Sequence, residues 1–195
     1  MRKFSIIFLL LFIFVPSTFA FEDNIGFSKI TPASNLYFLK AIREKIELHF
    51  AQTDKVKMYR QLEFAFRRLR EARTLIGNKE DLIQSTLERY IFQLDILSDK
   101  HRKDDETEVR MSNNLAVHLK VLEQMYQDAK RLKAKMAIRM VLNKLIQRRD
   151  TPNLAKIPIC NLFIREASSS ALNQTDQFLL KERAQNCFKS LTFDK

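Results

Sequence analysis

The apolar residues of this chain recur at steps of three and four positions, which is the spacing of one face of an α-helix. Caps and breaks divide the pattern into six predicted helices, at about 34–50, 53–76, 79–97, 106–147, 159–167 and 175–190. This pattern predicts an all-α fold. The expected architecture is a bundle of long antiparallel helices with a C-terminal disulfide-linked helical hairpin.

The first two predicted helices have the clearest boundaries. Ser34 is the candidate N-cap of the first, and Thr53 or Asp54 caps the second. Gly77 follows the second helix, where a left-handed residue is favoured. The first helix should place an apolar stripe against the core, consisting of Leu36, Leu39, Ile42, Ile46 and Phe50.

The fourth predicted helix, over 106–147, becomes apolar on two faces from Ile138 onward. Its first stripe consists of Met111, Leu115, His118, Leu119, Leu122, Met125, Ala129, Leu132, Met136 and Met140. Its second face consists of Val141, Leu142, Leu145 and Ile146. A helix that is apolar on two faces must be covered on both. We therefore expect the earlier helices on the first stripe and the C-terminal hairpin on the second face.

The chain begins with the layout of a secretory signal peptide. Arg2 and Lys3 precede an apolar run from Ser5 to Val15, and small residues lead to Ala20. This run is shorter than the ~20 residues that span a bilayer, although retention as an anchor remains the alternative. The predicted organisation is a signal peptide over 1–20, a lead-in over 21–33, a helical bundle over 34–150 and a hairpin over 151–195, packed on the end of the long fourth helix.

The composition argues against catalysis. The chain has only two glycines, whereas phosphate-binding loops, dinucleotide fingerprints and nucleophile elbows need clustered glycines. His49 and His101 lack the Glu at the spacing that di-iron bundles use. His118 lies on an apolar stripe, so we interpret it as a core residue rather than a ligand. We predict no catalytic residue, no metal site, no cofactor and no enzymatic activity.

Cys160 and Cys187 are the only cysteines. An even number of cysteines in an exported chain predicts a disulfide. The alternative is two independent buried thiols in a reducing compartment.

The basic residues are concentrated in two places. The formal net charge is +11, which becomes +9 when Arg2 and Lys3 leave with the signal peptide. Residues 130–149 contain eight basic and no acidic residues, and a second patch of four arginines lies over 67–73 in the second helix. This pattern favours an anionic polymer or lipid surface as partner; the alternative is a solvated helix face. The candidate anion-binding residues are Lys130, Arg131, Lys133, Lys135, Arg139, Arg67, Arg68, Arg70 and Arg73.

Two strings, SNLYFLKAIREKIEL and RRLREARTLI, resemble an exported bacterial all-helical domain of unknown function. Its members begin with Ser-Pro-Leu-Tyr-x-Leu-Lys and carry Arg-Leu-x-Glu-Ala in the second helix; Asn35 replaces the proline here. The resemblance covers about residues 31–97 and implies export and a helical fold. It implies no catalytic residue, because the family has no assigned activity. The matching positions are Ser34, Leu36, Tyr37, Leu39, Lys40, Glu44, Arg68, Leu69, Glu71 and Ala72.

These features predict a non-catalytic exported helical protein of the cell envelope with a binding or structural role. We expect it in the periplasm, on the cell wall or outside the cell, with no transmembrane segment after signal cleavage. Its basic helix faces would meet an anionic envelope polymer, a lipid surface or an envelope protein, and export argues against nucleic acid. The alternative is a periplasmic stress chaperone or metal-sensor-like protein. Such proteins carry a Leu-Thr-x-x-Gln motif. In the Leu191-Thr192 stretch of this chain, Lys195 stands at the position of the Gln, which argues against that family.

Overall fold

The computed structural model describes residues 25–100, 105–169 and 172–192, so the predicted signal peptide over 1–20 lies outside the described residues. The described segments form seven α-helices and one 3-10 turn, without a β-strand. This confirms the predicted all-α fold class. The helices are α1 (Tyr37–His49), α2 (Asp54–Leu75), α3 (Ile83–Lys100), α4 (Asp105–Asp128), α5 (Leu132–Ile146), α6 (Asn153–Ala167) and α7 (Gln174–Thr192), and the 3-10 turn Glu80–Leu82 precedes α3.

A tight turn joins α2 and α3, which pack along each other. At the start of α2, the Val56 N–H donates to Thr53 Oγ1 at 3.2 Å, which confirms Thr53 as the N-cap. After α2, Gly77 has φ of 79°. A residue with a Cβ rarely adopts this conformation, and glycine does so without strain. The predicted position of this turn is therefore confirmed.

The orientation of α1 is opposite to the prediction. Leu36, Leu39, Ile42, Ile46 and Phe50, expected in the core, are 44–74% exposed, whereas Glu44 is only 7% exposed. The polar face of α1 packs on α2, where Glu44 pairs with the buried Arg68 and Lys40 pairs with the buried Glu71. Periodicity identifies the residues that share a face, but it does not show which face is covered.

The predicted long fourth helix is in fact two helices, α4 and α5. The break spans residues 129–131, where the chain has neither glycine nor proline. There the Glu80 carboxylate accepts the backbone N–H groups of Lys130 at 3.1 Å and Arg131 at 2.7 Å. A side chain 50 positions earlier thus replaces the helical carbonyl acceptors, and no local pattern indicates it.

The break divides the predicted apolar stripe. Its first part, from Met111 to Ala129, is buried, whereas Leu132, Met136 and Met140 are exposed. The predicted second face is buried as expected, through Val141, Leu142, Leu145 and Ile146.

The C-terminal hairpin consists of α6 and α7, which the disulfide Cys160–Cys187 joins as predicted. It packs mainly against α4, with further contacts to α5, rather than on the end of one long helix. Pro158, predicted in a kinked connection, lies inside α6 because this helix begins earlier than expected. One hydrophobic cluster includes residues of every helix from α2 to α7, and among the described residues α1 contributes none.

No helix within the three described segments is long and apolar enough to cross a membrane.

Candidate functional site

Five of the residues that carry the family resemblance meet between α1 and α2. Glu71, fully buried, accepts a hydrogen bond from the Tyr37 hydroxyl at 2.9 Å and lies 2.5 Å from Lys40 Nζ. Arg68 donates to Glu71 at 2.7 Å and also pairs with Glu44. These side chains lie on the facing sides of two antiparallel helices, and we call them the signature cluster.

Further ion pairs surround the signature cluster. Arg67 Nη2 lies 2.5 Å from Glu63 and 3.1 Å from Glu47, and Arg43 Nε lies 2.5 Å from Glu47. Burial raises the pKa of Glu44, although Arg68 and Arg67 oppose this shift. In all, four carboxylates face five cations here: Glu44, Glu47, Glu63 and Glu71 with Lys40, Arg43, Arg60, Arg67 and Arg68.

The ion pairs between α1 and α2 limit the predicted anion-binding role of the α2 arginines. Arg67 and Arg68 already have carboxylate partners within the chain, so an external anion would have to displace them. The other two candidates lie over aromatic rings. The Arg70 guanidinium is 5.0 Å from the centroid of Phe66, and that of Arg73 is 5.0 Å from the centroid of Phe27.

The basic tract over 130–149 has a different environment. Lys130, Arg131 and Lys133 are exposed and form no ion pair with a described residue. Lys135 Nζ lies 5.2 Å from the centroid of the Tyr126 ring, and Arg139 is buried.

Part of this tract forms an exposed face of mixed character. One side of α5 presents Leu132, Met136 and Met140 together with Lys133 and Lys144. These five residues are named the α5 outer face. Its lysines stand beside apolar side chains, without a carboxylate partner in the described chain, and this combination distinguishes it from the α1–α2 region.

A family model described as a domain of unknown function (DUF5667) matches residues 29–139, more than half of the chain. The chain belongs to this family. The match confirms the resemblance to an all-helical domain of unknown function and extends it beyond residues 31–97. No curated protein and no solved structure matches the chain significantly.

The DUF5667 region begins before α1 and ends inside α5, so it contains the signature cluster and most of the α5 outer face. The hairpin of α6 and α7 lies outside the matched residues. In the described residues of the chain, no group of three His, Cys, Asp or Glu side chains is placed to hold a metal ion.

Sequence reasoning missed Glu80, which organises the centre of the DUF5667 region. Its carboxylate accepts the N–H of Gly77 at 3.0 Å as well as those of Lys130 and Arg131. Burial disfavours the charged form of the Glu80 carboxyl group and by itself would raise its pKa. The three N–H donors outweigh this effect and lower the pKa of Glu80 below its usual value. The three-residue spacing from Gly77 to Glu80 is like that of a capping box and could have indicated the contact with the turn. The contacts with residues 130 and 131 have no signal in the local sequence.

His118 is a core residue of the DUF5667 region, as the stripe predicts. It is fully buried, and its Nδ1 lies 3.0 Å from the Tyr90 hydroxyl. Its Nε2 is buried and has no hydrogen-bond partner among the described residues. Burial lowers the pKa of His118 to about 3.

This burial predicts a pH dependence of stability. The pKa of His118 rises to its usual value of about 6.5 when the chain unfolds. Below that pH the unfolded chain binds a proton that the native chain does not bind. The free energy of unfolding should therefore fall on acidification from pH 6.5 toward 3, by about 1.4 kcal/mol per pH unit from this group. Urea unfolding of wild type and His118→Gln between pH 7 and 4 measures the difference in slope.

His49→Gln provides the control for this prediction. His49 is exposed, so its replacement should leave the wild-type slope unchanged. Equal slopes for wild type and His118→Gln would show that the buried imidazole does not control the pH dependence.

Proposed function

We propose that this chain is a non-catalytic, exported protein of the cell envelope that binds an anionic lipid surface through the α5 outer face. The observation that carries the proposal is the arrangement of Lys133 and Lys144 beside three exposed apolar side chains. Basic side chains attract anionic headgroups, and neighbouring apolar side chains enter the boundary between headgroups and acyl chains.

Two features support export. Residues 1–20 have the order of charge, apolar run and small residues that signal peptides share. The disulfide Cys160–Cys187 belongs to the chemistry of oxidising compartments.

The choice of a lipid surface over an anionic polymer rests on the apolar residues. A polymer of phosphates or carboxylates would be held by charge alone, and Leu132, Met136 and Met140 would then stay in water. A bilayer offers partners to both kinds of side chain. Exposed apolar residues on a basic helix face therefore favour a membrane surface.

The test is sedimentation of the protein with vesicles. Protein purified from the producing cells, with its N-terminus determined by mass spectrometry, should bind vesicles containing anionic lipid and not neutral vesicles. Each lysine contributes about 1 kcal/mol near an anionic surface, so Lys133→Gln with Lys144→Gln should weaken binding roughly 30-fold. Raising the salt concentration should also weaken vesicle binding, because salt screens the attraction between lysine and lipid charges.

The matched control is Lys45→Gln with Lys181→Gln. These lysines are exposed on α1 and α7, and the double variant loses the same charge. It should bind like wild type. Equal weakening by both double variants would mean that net charge rather than the α5 outer face determines binding. Salt-independent binding would also contradict the proposal.

A chaperone-like role is the second candidate, and one observation favours it. The apolar stripe of α1, which includes Leu39, Ile42 and Phe50, is exposed and has the chemistry that captures unfolded clients. Suppression of a model client's aggregation distinguishes this role, because lipid binding does not require it.

A further inference from the structure

A cleft of about 350 Å³ lies between the end of α5, the connection to α6 and the second half of α7. Four cationic side chains line it, together with uncharged hydrogen-bonding groups such as Asn143 and Asn186. No carboxylate is among the described residues that line the cleft. The cations are Arg148, Arg149, Lys156 and Arg183.

Lys156 is the most unusual of these residues. It is only 5% exposed and has no hydrogen bond or ion pair with any described residue. It also stands in the first turn of α6, which contains no acidic residue. The N-terminal end of a helix carries a partial positive charge, so a cation there is unfavourable. The Lys156 ammonium is not among the buried polar atoms that lack a partner, so the side chain is covered along its length while the charged end reaches the cleft.

The neighbouring arginines increase the positive charge. Arg149 and Arg183 form no ion pair within the described part of the chain. Arg148 is different, because its guanidinium lies 3.5 Å from Asp95 and 3.2 Å from Asp150. Its Nε is nevertheless buried without a hydrogen-bond partner in the described chain. The cleft thus holds three cations without a counter-charge and one anchored arginine.

The disulfide holds the two sides of the cleft together. Lys156 lies four residues before Cys160 on α6, and Arg183 lies four residues before Cys187 on α7. Because the two helices of the hairpin are antiparallel, Lys156 and Arg183 lie in opposite directions from the disulfide, and the bond limits the movement of one helix against the other. Cys187 itself lines the cleft. The positive charge is therefore concentrated in a rigid part of the molecule.

We propose that this cleft binds a phosphomonoester group. Guanidinium groups match the oxygen geometry of phosphate, and the uncompensated charge of the cleft suits a dianion. The volume exceeds that of phosphate alone, and Asn143 and Asn186 can bind hydroxyl groups of the attached alcohol. Both a soluble phosphate ester and a lipid headgroup can present this phosphomonoester group to the cleft. This proposal is independent of the α5 outer face, which uses other residues.

The test is calorimetric titration of the purified full protein with glycerol 3-phosphate, using glycerol as the uncharged control. Lys156→Met and Arg183→Gln should each weaken binding by about tenfold, since each removes one charge-assisted contact. Lys181→Gln is the matched control, because it removes an exposed charge from α7 outside the cleft. It should bind like wild type. The ester should also raise the melting temperature of wild type more than that of Lys156→Met.

Vesicles containing phosphatidic acid identify the source of the group. If the cleft variants weaken binding of the soluble ester only, the natural ligand is a soluble ester. If they also weaken binding of the vesicles, the ligand is the lipid headgroup. Absence of binding to both probes overturns the proposal, as does equal weakening by Lys181→Gln. Binding of the ester that is unchanged in Lys156→Met and Arg183→Gln also overturns it, whereas vesicle binding that survives in these variants belongs to the α5 outer face.

Discussion

Replacing Glu80 with alanine should lower the free energy of unfolding by about 3–5 kcal/mol, because three partly buried N–H groups lose one charged acceptor and partial exposure keeps each loss toward the lower end of the ~1–3 kcal/mol that a buried group costs. The N–H groups belong to Gly77, Lys130 and Arg131. They connect the turn after α2 with the break between α4 and α5. Urea unfolding followed by circular dichroism measures the effect.

Two controls isolate the role of the Glu80 carboxylate. Asp81→Ala removes the same charge from the neighbouring exposed residue, and such surface changes stay within about 0.5 kcal/mol. Glu80→Gln keeps an acceptor without the charge and should fall between wild type and alanine. Because the pKa of Glu80 is lowered in the native state, its contribution is present above the unfolded pKa and is lost as the pH falls. A loss in Glu80→Ala no larger than that in Asp81→Ala would contradict this account.

Removing the disulfide should destabilise the chain by a similar amount. Cys160→Ala with Cys187→Ala opens the loop that joins α6 to α7, and the chain-entropy treatment assigns a loop of this size roughly 3–4 kcal/mol. Both cysteines are buried in the shared hydrophobic cluster. The loss should therefore appear in the unfolding of the whole bundle and not only in the hairpin.

Reduction of the wild-type protein tests the same prediction without mutation. A reducing agent should lower the melting temperature of wild type and leave that of the double alanine variant unchanged. If wild type melts at the same temperature with and without the reducing agent, the disulfide does not contribute the expected stability.

Local signals predicted much of the fold. The Thr53 cap, the Gly77 turn and the stripe from Met111 to Ala129 depend on residues close together in sequence, and each was found where expected. The disulfide followed from the number of cysteines and the predicted compartment. The break at 129–131 was not predictable in this way, because Glu80 creates it from another part of the chain.

The candidate sites were less predictable than the fold. Charge runs identified Arg67, Arg68 and Lys133 alike, although the two arginines face carboxylates and the lysine faces solvent. The sequence shows where the charged residues are, but it does not show which residues pair with them after folding. The cleft shows the same limit, because Lys156 and Arg183 come from different helices and line one cleft only after folding.

The inverted orientation of α1 gives this chain two opposite responses to dissolved ions. The bundle from α2 to α7 is held by apolar burial, which salting-out anions strengthen. The α1 helix is held mainly by charged pairs such as Lys40 with Glu71 and Arg67 with Glu47, and screening weakens such pairs according to their exposure. Concentrated salts of such anions therefore tighten the body of the protein. On α1 they weaken the exposed pair of Arg43 with Glu47 more than the buried pair of Lys40 with Glu71, so the loosening begins at the outer ion pairs of this helix.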